Sequence, residues 1–349
     1  MKKNKGATIK DVAREAGVSP AAVSCVYKGA GNISEATKKR VLEVAKRLSY
    51  VPDSAAQALA RKKLRIAILI NDGPESIQRE LWDGMRAAEK EPGFCKIAIE
   101  DLSFAAGNEE MLASRIEQIL AGKFDGVIMQ SQAYTSAPLA EKAMQLRESG
   151  IPVVNLVAGH AAFSDAPMVS VDSAAVGGLG YDLLSLAGCR TFSLLQGEPL
   201  AGIHVRVQAG FRAALRENDR LLSVLYSDDD PEKGYQAVLN DLRGGSVPDG
   251  IFVTNFLAFA AERAVRDAGF AGRVKIVGVD TTRENLELLK EGKLCAVIDQ
   301  GQKKQGKLAV ETLRNMVLRL PAPARSSVRP IAVFSSGTAY YDREERQED

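Results

Sequence analysis

The sequence predicts an α/β protein in which a small all-helical head precedes two doubly wound lobes. Three observations carry that expectation. Between residues 64 and 299, ten short apolar segments alternate with helix-patterned ones, the mark of parallel sheets flanked by helices. Ten strands are more than one twisted sheet usually holds, so two Rossmann-like lobes with parallel sheets account for them better. The first sixty residues carry only short helix patterns with little bulk, too little to join a large sheet core.

Composition agrees with several units. At 349 residues and 46% hydrophobic content, the chain exceeds one ordinary core. The net charge of +2 hides an asymmetry: residues 1–63 hold fourteen Lys and Arg against five Asp and Glu, and the remainder holds 32 against 39. A basic head on an acidic body points to a polyanion partner for the head. Cys25, Cys95, Cys189 and Cys295 have no CxxC or metal-ligand spacing and read as reduced thiols of a cytoplasmic protein. "MKKNKGATIKDVAREAG" is basic without an apolar run, so no signal peptide is expected. Apolar stretches such as "LRIAILIN" are strand-sized, not membrane-spanning. Neither a cofactor nor a metal ion is expected.

The head begins with "TIKDVAREAGVSPAAVSCVYKG", from Thr8 to Gly29. Thr8 and Asp11 have the spacing of a capping box, which starts a helix at Ile9. Ile9, Val12, Ala13 and Ala16 share one face, and Gly17 supplies a left-handed stop. Ser19 caps a second helix with Pro20 at its first position, and Val23 and Val26 point back at the first. Two short helices about a glycine turn are the helix-turn-helix plan. Ser34 caps a third helix, with Val41, Leu42, Ala45 and Leu48 as the expected apolar stripe and Lys38, Lys39, Arg40, Lys46 and Arg47 on the other face. A plain three-helix bundle with surface lysines does not explain why the outer face of the second helix is so small: Pro20, Ala21, Ala22, Ser24 and Cys25. Small side chains let a helix sink into the roughly 12 Å major groove of DNA.

With "ISEATKKRVLEVAKRLSYVPDSAAQALARKK", this head resembles the LacI/GalR family of bacterial transcription regulators over some sixty ungapped residues, including its Tyr-x-Pro junction at Tyr50 and Pro52. The resemblance implies that Pro20, Ala21 and Cys25 read base edges, with Ala22 beside them. It implies phosphate contacts for Thr8, Ser19, Ser24, Ser34 and Thr37, and it places Lys28 and Tyr50 among the DNA-binding residues. Two positions depart from the family pattern: Cys25 stands where a long donor such as Arg is common, and Ala22 replaces a common Thr. Arg bidentate to guanine is worth roughly 1–3 kcal/mol of discrimination, so a different or less stringent operator is implied. "DSAAQALARKK" favours helix, yet an isolated helix this short is marginal in water. In the family this is the hinge helix, where Leu59 matches the leucine wedged into the minor groove and Ala56 the small residue beside it. A flexible linker is the alternative. The expected domains are thus 1–52 for the head and 53–63 for the hinge helix, then 64–349 for the core.

The expected strands are "LRIAILI" (64–70), "CKIAIE" (95–100), "GVIMQ" (126–130), "PVVNL" (152–156) and "MVSVD" (168–172), then "TFSLLQ" (191–196), "LLSVLYS" (221–227), "GIFVTN" (250–255), "VKIVGVD" (274–280) and "LCAVID" (294–299). The resemblance implies a periplasmic-binding-protein-like core whose chain crosses between lobes three times. Lobe 1 is expected at about 64–170 plus 300–322, and lobe 2 at about 171–299 plus 326–340.

Ligands in such sheets bind beyond the carboxyl ends of the strands, which selects Asn71, Asp72, Asp172, Asn255, Asp280 and Gln300. The resemblance adds weight to Asp172 before "SAAVGG" and to Asp280 closing "VGVD", and Asn255 and Gln300 also match polar family positions. An ordinary turn or helix cap is the alternative for each. The family's ligand-clamping Arg is replaced by Val207, with Arg206 one residue off; the Asn-Asp pair is Asn255-Phe256; and "NDGPESIQREL" lacks the usual aromatic pair. His160, one of two histidines, follows the fourth strand and reads as a surface residue. The effector is therefore either not an ordinary sugar or no longer sensed.

Enzyme signatures are missing. "VGGLG" is not GxGxxG, and there is no Walker motif, HExxH or GxSxG. The expected function is a homodimeric DNA-binding transcription regulator, a repressor of a pseudo-palindromic operator, modulated by a small-molecule effector such as a sugar or related metabolite. The tail "YYDREERQED" has no heptad leucines, which leaves dimer as the default. The alternative is a small-molecule-binding protein whose head serves only dimerisation or solubility.

Overall fold

The computed structural model describes residues 9–28, 33–48, 63–91, 96–130, 136–198, 202–245 and 247–341. Thr8, Tyr50, Ala56 and Leu59 lie outside these residues, as does the expected hinge helix. Contacts divide the chain into two compact units, the head and, from Lys63 onward, the core.

The head consists of α1 (Ile9–Ala16), α2 (Pro20–Lys28) and α3 (Glu35–Arg47). Gly17 ends α1 with φ +63°, a conformation that costs glycine nothing. Ser19 Oγ accepts the Ala22 N–H at 3.1 Å. Ser34 Oγ accepts the Thr37 N–H at 3.3 Å and shares a second bond with the Thr37 hydroxyl at 2.8 Å. These caps satisfy N–H groups that have no partner within their helices. Val12, Ala13, Ala16, Val23, Val41, Val44 and Ala45 form the core, with Ile9, Val18, Val26 and Leu48 around it. One expectation is corrected here. Leu42 is 49% exposed, and Val44 takes its place in the stripe. The i, i+3, i+4, i+7 series runs through 41, 44, 45 and 48, so Leu42 falls about 100° off that face.

The core's first sheet comprises β1 (Leu64–Leu69), β2 (Ile97–Asp101), β3 (Gly126–Met129), β4 (Val153–Leu156) and β5 (Met168–Val171), with α4 (Glu75–Lys90), α5 (Glu109–Ala121) and α6 (Ala137–Glu148) between them. The chain then passes to a second sheet. It holds β6 (Thr191–Gln196), β7 (Arg220–Tyr226), β8 (Gly250–Val253), β9 (Lys275–Val279) and β10 (Ala296–Asp299). Its helices are α7 (Ser173–Leu186), α8 (Gly202–Ala214), α9 (Pro231–Arg243), α10 (Ala258–Asp267) and α11 (Arg283–Lys290). Helix α12 (Gln302–Val317) returns to the first lobe, and β11 (Arg325–Val328) and β12 (Ile331–Val333) add one edge strand to each sheet. The strand orders correspond: β11-β5-β4-β3-β1-β2 and β12-β10-β9-β8-β6-β7. All pairings are parallel except β12 with β10. No helix among the described residues is long and apolar enough to cross a membrane.

All ten expected strands form. The sequence reading misses β11 and β12, and the third crossing moves with them. Residues 325–328 pair with β5 in the first sheet, so the chain crosses at Arg329–Pro330 and not ahead of 326. "RSSV" carries no apolar run, and only Val328 of its four residues is buried.

The lobes also repeat in detail. Asp125, before β3, accepts the Arg65 N–H at 2.9 Å, and Asp249, before β8, accepts the Arg190 and Thr191 N–H groups at 2.9 Å. In each lobe one helix pair crosses on facing glycines. A Cβ at Gly84 on α4 would run into the Lys303 carbonyl of α12, and one at Gly306 into the Leu81 carbonyl of α4. In the second lobe, Gly177 on α7 meets the Val207 carbonyl of α8, and Gly210 meets the Ala174 carbonyl of α7. Helices α7 and α12 each directly follow a crossing, so each crossing delivers a helix that packs backbone to backbone on its new lobe. Gly177→Ala and Gly306→Ala should each lower unfolding free energy by about 1–3 kcal/mol through overpacking. Urea denaturation measures this, and two variants within about 0.5 kcal/mol of the parent would show that the helices separate freely.

Candidate DNA-binding face and effector cleft

On the head, α2 turns Val23 into the core and exposes Pro20 and Ala21, with Ala22, Ser24 and Cys25 half-exposed. Cys25 is a free thiol. The resulting surface is small and rises directly from a capped helix start, where unsatisfied N–H groups and the positive end of the dipole favour phosphate. On α3, Lys39, Arg40 and Lys46 are exposed, whereas Lys38 pairs with Glu35 at 2.5 Å and Arg47 with Glu15 at 2.8 Å. The capping roles of Ser19 and Ser34 hold them at the edge of this surface.

In the core, the carboxyl ends of the strands carry two polar clusters. The first centres on Asp280, 5% exposed, at the end of β9. Its Oδ1 accepts the side-chain amides of Gln300 and Gln302, each at 2.7 Å. Burial pushes its pKa up to about 6; the nearby charges of Asp299 and Asp229 act in the same direction, and the two amide bonds oppose it. Gln300 lies in the second crossing, so this carboxylate ties lobe 2 to the segment that leaves it. Alongside, Asp299 accepts the Tyr341 hydroxyl at 2.7 Å and the Gly301 N–H at 2.6 Å. Thr281 donates to Glu80 of α4 at 3.4 Å, a bond between the lobes.

The second cluster lies at the ends of β6, β7 and β8. Asn255 donates to Ser227 Oγ at 3.1 Å and to Asp229 Oδ1 at 2.7 Å. His204, on the first turn of α8, shares a bond between Nδ1 and Thr254 Oγ1 at 3.1 Å. A Cβ on Gly197 would come within 2.5 Å of both His204 Nε2 and Asp229 Oδ1, so the glycine makes room for the pair. Burial lowers the pKa of His204 against the opposing charge of Asp229.

Backbone strain gathers at the same ends. Val157 after β4, Asp228 and Asp229 after β7, and Asp280 after β9 have φ of +63°, +49°, +57° and +70°. They are four of the five non-glycine residues with positive φ among the described residues, and such conformations cluster where function over-determines the backbone.

The sequence-derived candidates are thus placed unevenly. Asp280 and Gln300 meet in one cluster, and Asn255 anchors the other. Asn71 and Asp72 follow β1; Asn71 Nδ2 reaches the Asp72 carbonyl at 3.3 Å, its Oδ1 is buried without a partner, and Asp72 is exposed. Asp172 is exposed and accepts the Ala175 N–H at 3.1 Å as the cap of α7. Arg206 is exposed on α8 and joins neither cluster, because Val207 is the residue of that turn facing the lobe core. His160 is half-buried and caps a short 3-10 turn, accepting the Ala162 N–H at 3.0 Å. Sequence reasoning missed His204, Asp229 and Gln302. The run "SDDD" after an apolar strand marks Asp229, since the strand-end rule covers every strand; His204 has no comparable signal because it comes from a helix.

The fold and these sites define a class: a helix-turn-helix head joined to a two-lobed ligand-binding core. Residues 8–53 match the model of bacterial regulatory proteins of the lacI family, and residues 66–318 match the periplasmic binding protein domain. Catabolite control protein A of Priestia megaterium is 30% identical over 286 residues, covering 79% of this chain and 83% of that protein. The HTH-type transcriptional regulator pepR1 of Lactobacillus delbrueckii subsp. lactis is 32% identical over 200 residues, 56% of this chain and 57% of its own. Among solved structures, the lac repressor dimer bound to operator and the anti-inducer ONPF aligns with TM-score 0.64 and 21% identity over 94% of this chain and 98% of its own. GanP, a glucose-galactose binding protein from Geobacillus stearothermophilus, aligns with TM-score 0.70 and 20% identity over 79% and 99%. The chain belongs to the lacI family of bacterial regulatory proteins and is a DNA-binding transcription regulator.

Asp280 carries a stability consequence. Its pKa is raised from 3.8 to about 6 on folding, so the native state binds a proton that the unfolded chain releases between those values. The charged form therefore costs stability above that window and nothing below it. Asp280→Asn keeps an acceptor for both glutamine amides and tolerates positive φ. It should stabilise the protein by about 1–3 kcal/mol above pH ~7, with the gain shrinking as pH falls through 6 toward 4. Denaturation at both ends of that range checks it, and an equal effect at both contradicts it.

Proposed function

We propose that this regulator is a homodimeric repressor whose two heads read the half-sites of a pseudo-palindromic operator, with affinity set by a small-molecule effector in the inter-lobe cleft. The observation that carries the reading is the outer face of α2. Pro20, Ala21, Ala22, Ser24 and Cys25 present almost no bulk, on a segment where Lys and Arg outnumber acids fourteen to five. Pro20, Ala21 and Cys25 would meet base edges; Ser19, Ser24, Lys28, Ser34 and Thr37 would fix the register on phosphates. A cysteine in place of a long donor relaxes the choice at one base pair.

The effector reading draws on the strand-end clusters and on the relatives. Solved neighbours of this fold include a cellobiose complex of the regulator CelR and a D-allose complex of a periplasmic solute binding protein, which supports a sugar or related metabolite. Effector would change the angle between lobes about the three crossings, and coupling follows if it binds the two lobe arrangements unequally.

Capture of genomic fragments by the purified protein, followed by titration at rising salt, tests the DNA function. Specific binding should fall steeply as salt rises, and no preference for any fragment over random sequence would end the reading. Leu59→Ala should lower specific operator affinity by at least about tenfold and leave non-specific binding within about twofold, because a wedge acts only on kinked DNA. Equal losses on both DNAs would remove Leu59 from that role.

A further inference from the structure

The cleft clusters share one property: they consist largely of hydrogen-bond acceptors, and the chain supplies too few donors for them. Asp280 spends Oδ1 on two glutamine amides, and Asp229 spends Oδ1 on Asn255. Their other carboxylate oxygens receive no hydrogen bond from the described residues, and no Lys or Arg among those residues pairs with either carboxylate. Gln302, 4% exposed, has its amide nitrogen on Asp280 and its Oε1 buried without a partner. In lobe 1, Gln130, just after β3, is 9% exposed with Oε1 unpartnered, and Asn71, just after the neighbouring β1, has a buried, unpartnered Oδ1.

Buried acceptors left unsatisfied cost roughly 1–3 kcal/mol each, and a buried carboxylate without a counter-ion, as at Asp280, costs more; Asp229 beside it is half-buried. Both debts are cancelled by a ligand that brings donors and positive charge. A metal ion does not fit, since no three His, Cys, Asp or Glu among the described residues converge to hold one. Phosphate or carboxylate on a ligand would meet like charge. Carboxylates favour an ammonium group, and side-chain amide oxygens favour hydroxyl donors.

We infer that the effector is an aminodeoxy sugar, its ammonium held by Asp280 and Asp229 of lobe 2 and its hydroxyls donating to Asn71 and Gln130 of lobe 1. This rests on the reading that the cleft holds the effector. Bridging the two lobes in this way, the ligand favours the arrangement in which both sets of acceptors reach it.

Isothermal titration of the full-length protein near pH 7, where both the amine and Asp280 are charged, with D-glucosamine, D-galactosamine, their parents D-glucose and D-galactose, and D-glucose 6-phosphate tests the assignment. An amino sugar is expected to bind at least about tenfold more tightly than its parent, with the 6-phosphate weakest. Asp280→Asn, or Asp229→Asn as a second variant, should bring the amino sugar down to the affinity of its parent. A parent sugar binding as tightly as its amino counterpart, or the 6-phosphate binding best, overturns the ammonium assignment and leaves an effector cleft standing. Binding of none of the five, with operator affinity unmoved by any, overturns both.

Discussion

Helix α12 grows out of the second lobe and lies on the first, while α7 does the reverse, and each is held by helix backbones meeting at a pair of facing glycines. Everything in the core depends on this constraint. Backbone-to-backbone packing has no flexible side chains to absorb a shift, so each lobe moves with the helix it has received. The chain joins the two sheets through three short crossings, at Asp172, Gln300–Gly301 and Arg329–Pro330. A two-lobed protein that must respond to a ligand gains from this arrangement: stiffness is placed in the lobes, and motion is left to a few residues.

The cleft end of the core is built the opposite way. Asp280 is buried with two amide bonds and two neighbouring anions, Asp228 and Asp229 adopt left-handed conformations in succession, and several amide oxygens lack partners. None of this is the cheapest way to close a sheet. The same residues connect to the hinge: Gln300 belongs to the second crossing and bonds Asp280, while Asp299 beside it bonds Tyr341. A change of charge or hydrogen bonding at Asp280 is thus felt where the lobes join. In the function proposed above this would be the physical route from ligand to lobe angle, and strain held at a site is the usual partner of such switching.

The head is constrained differently. Seven buried side chains, four valines and three alanines, form its core, and its second and third helices start on serine caps. Economy of bulk serves two purposes at once. It lets short helices pack closely, and it leaves the outer face of α2 flat enough to approach the edges of base pairs.

Local pattern determined the helices of the head, the turn at Gly17, the ten main strands and the doubling of the lobes, because periodicity and turn chemistry act over a few residues. It also placed Asn255, Asp280 and Gln300, since strand ends are visible in the order of apolar and polar residues. Only the tertiary structure decided which side chains meet. His204 comes from a helix, Asp229 depends on two left-handed residues in a row, and Gln302 reaches Asp280 across a crossing. Arg206 and Val207 are adjacent in sequence, yet the turn of α8 sends one to solvent and the other to the core. The strands β11 and β12 were missed because each is only three or four residues long, and "RSSV" in addition carries a single apolar residue. Sequence order sets each element by its near neighbours, whereas the cleft is assembled from residues that folding alone makes neighbours.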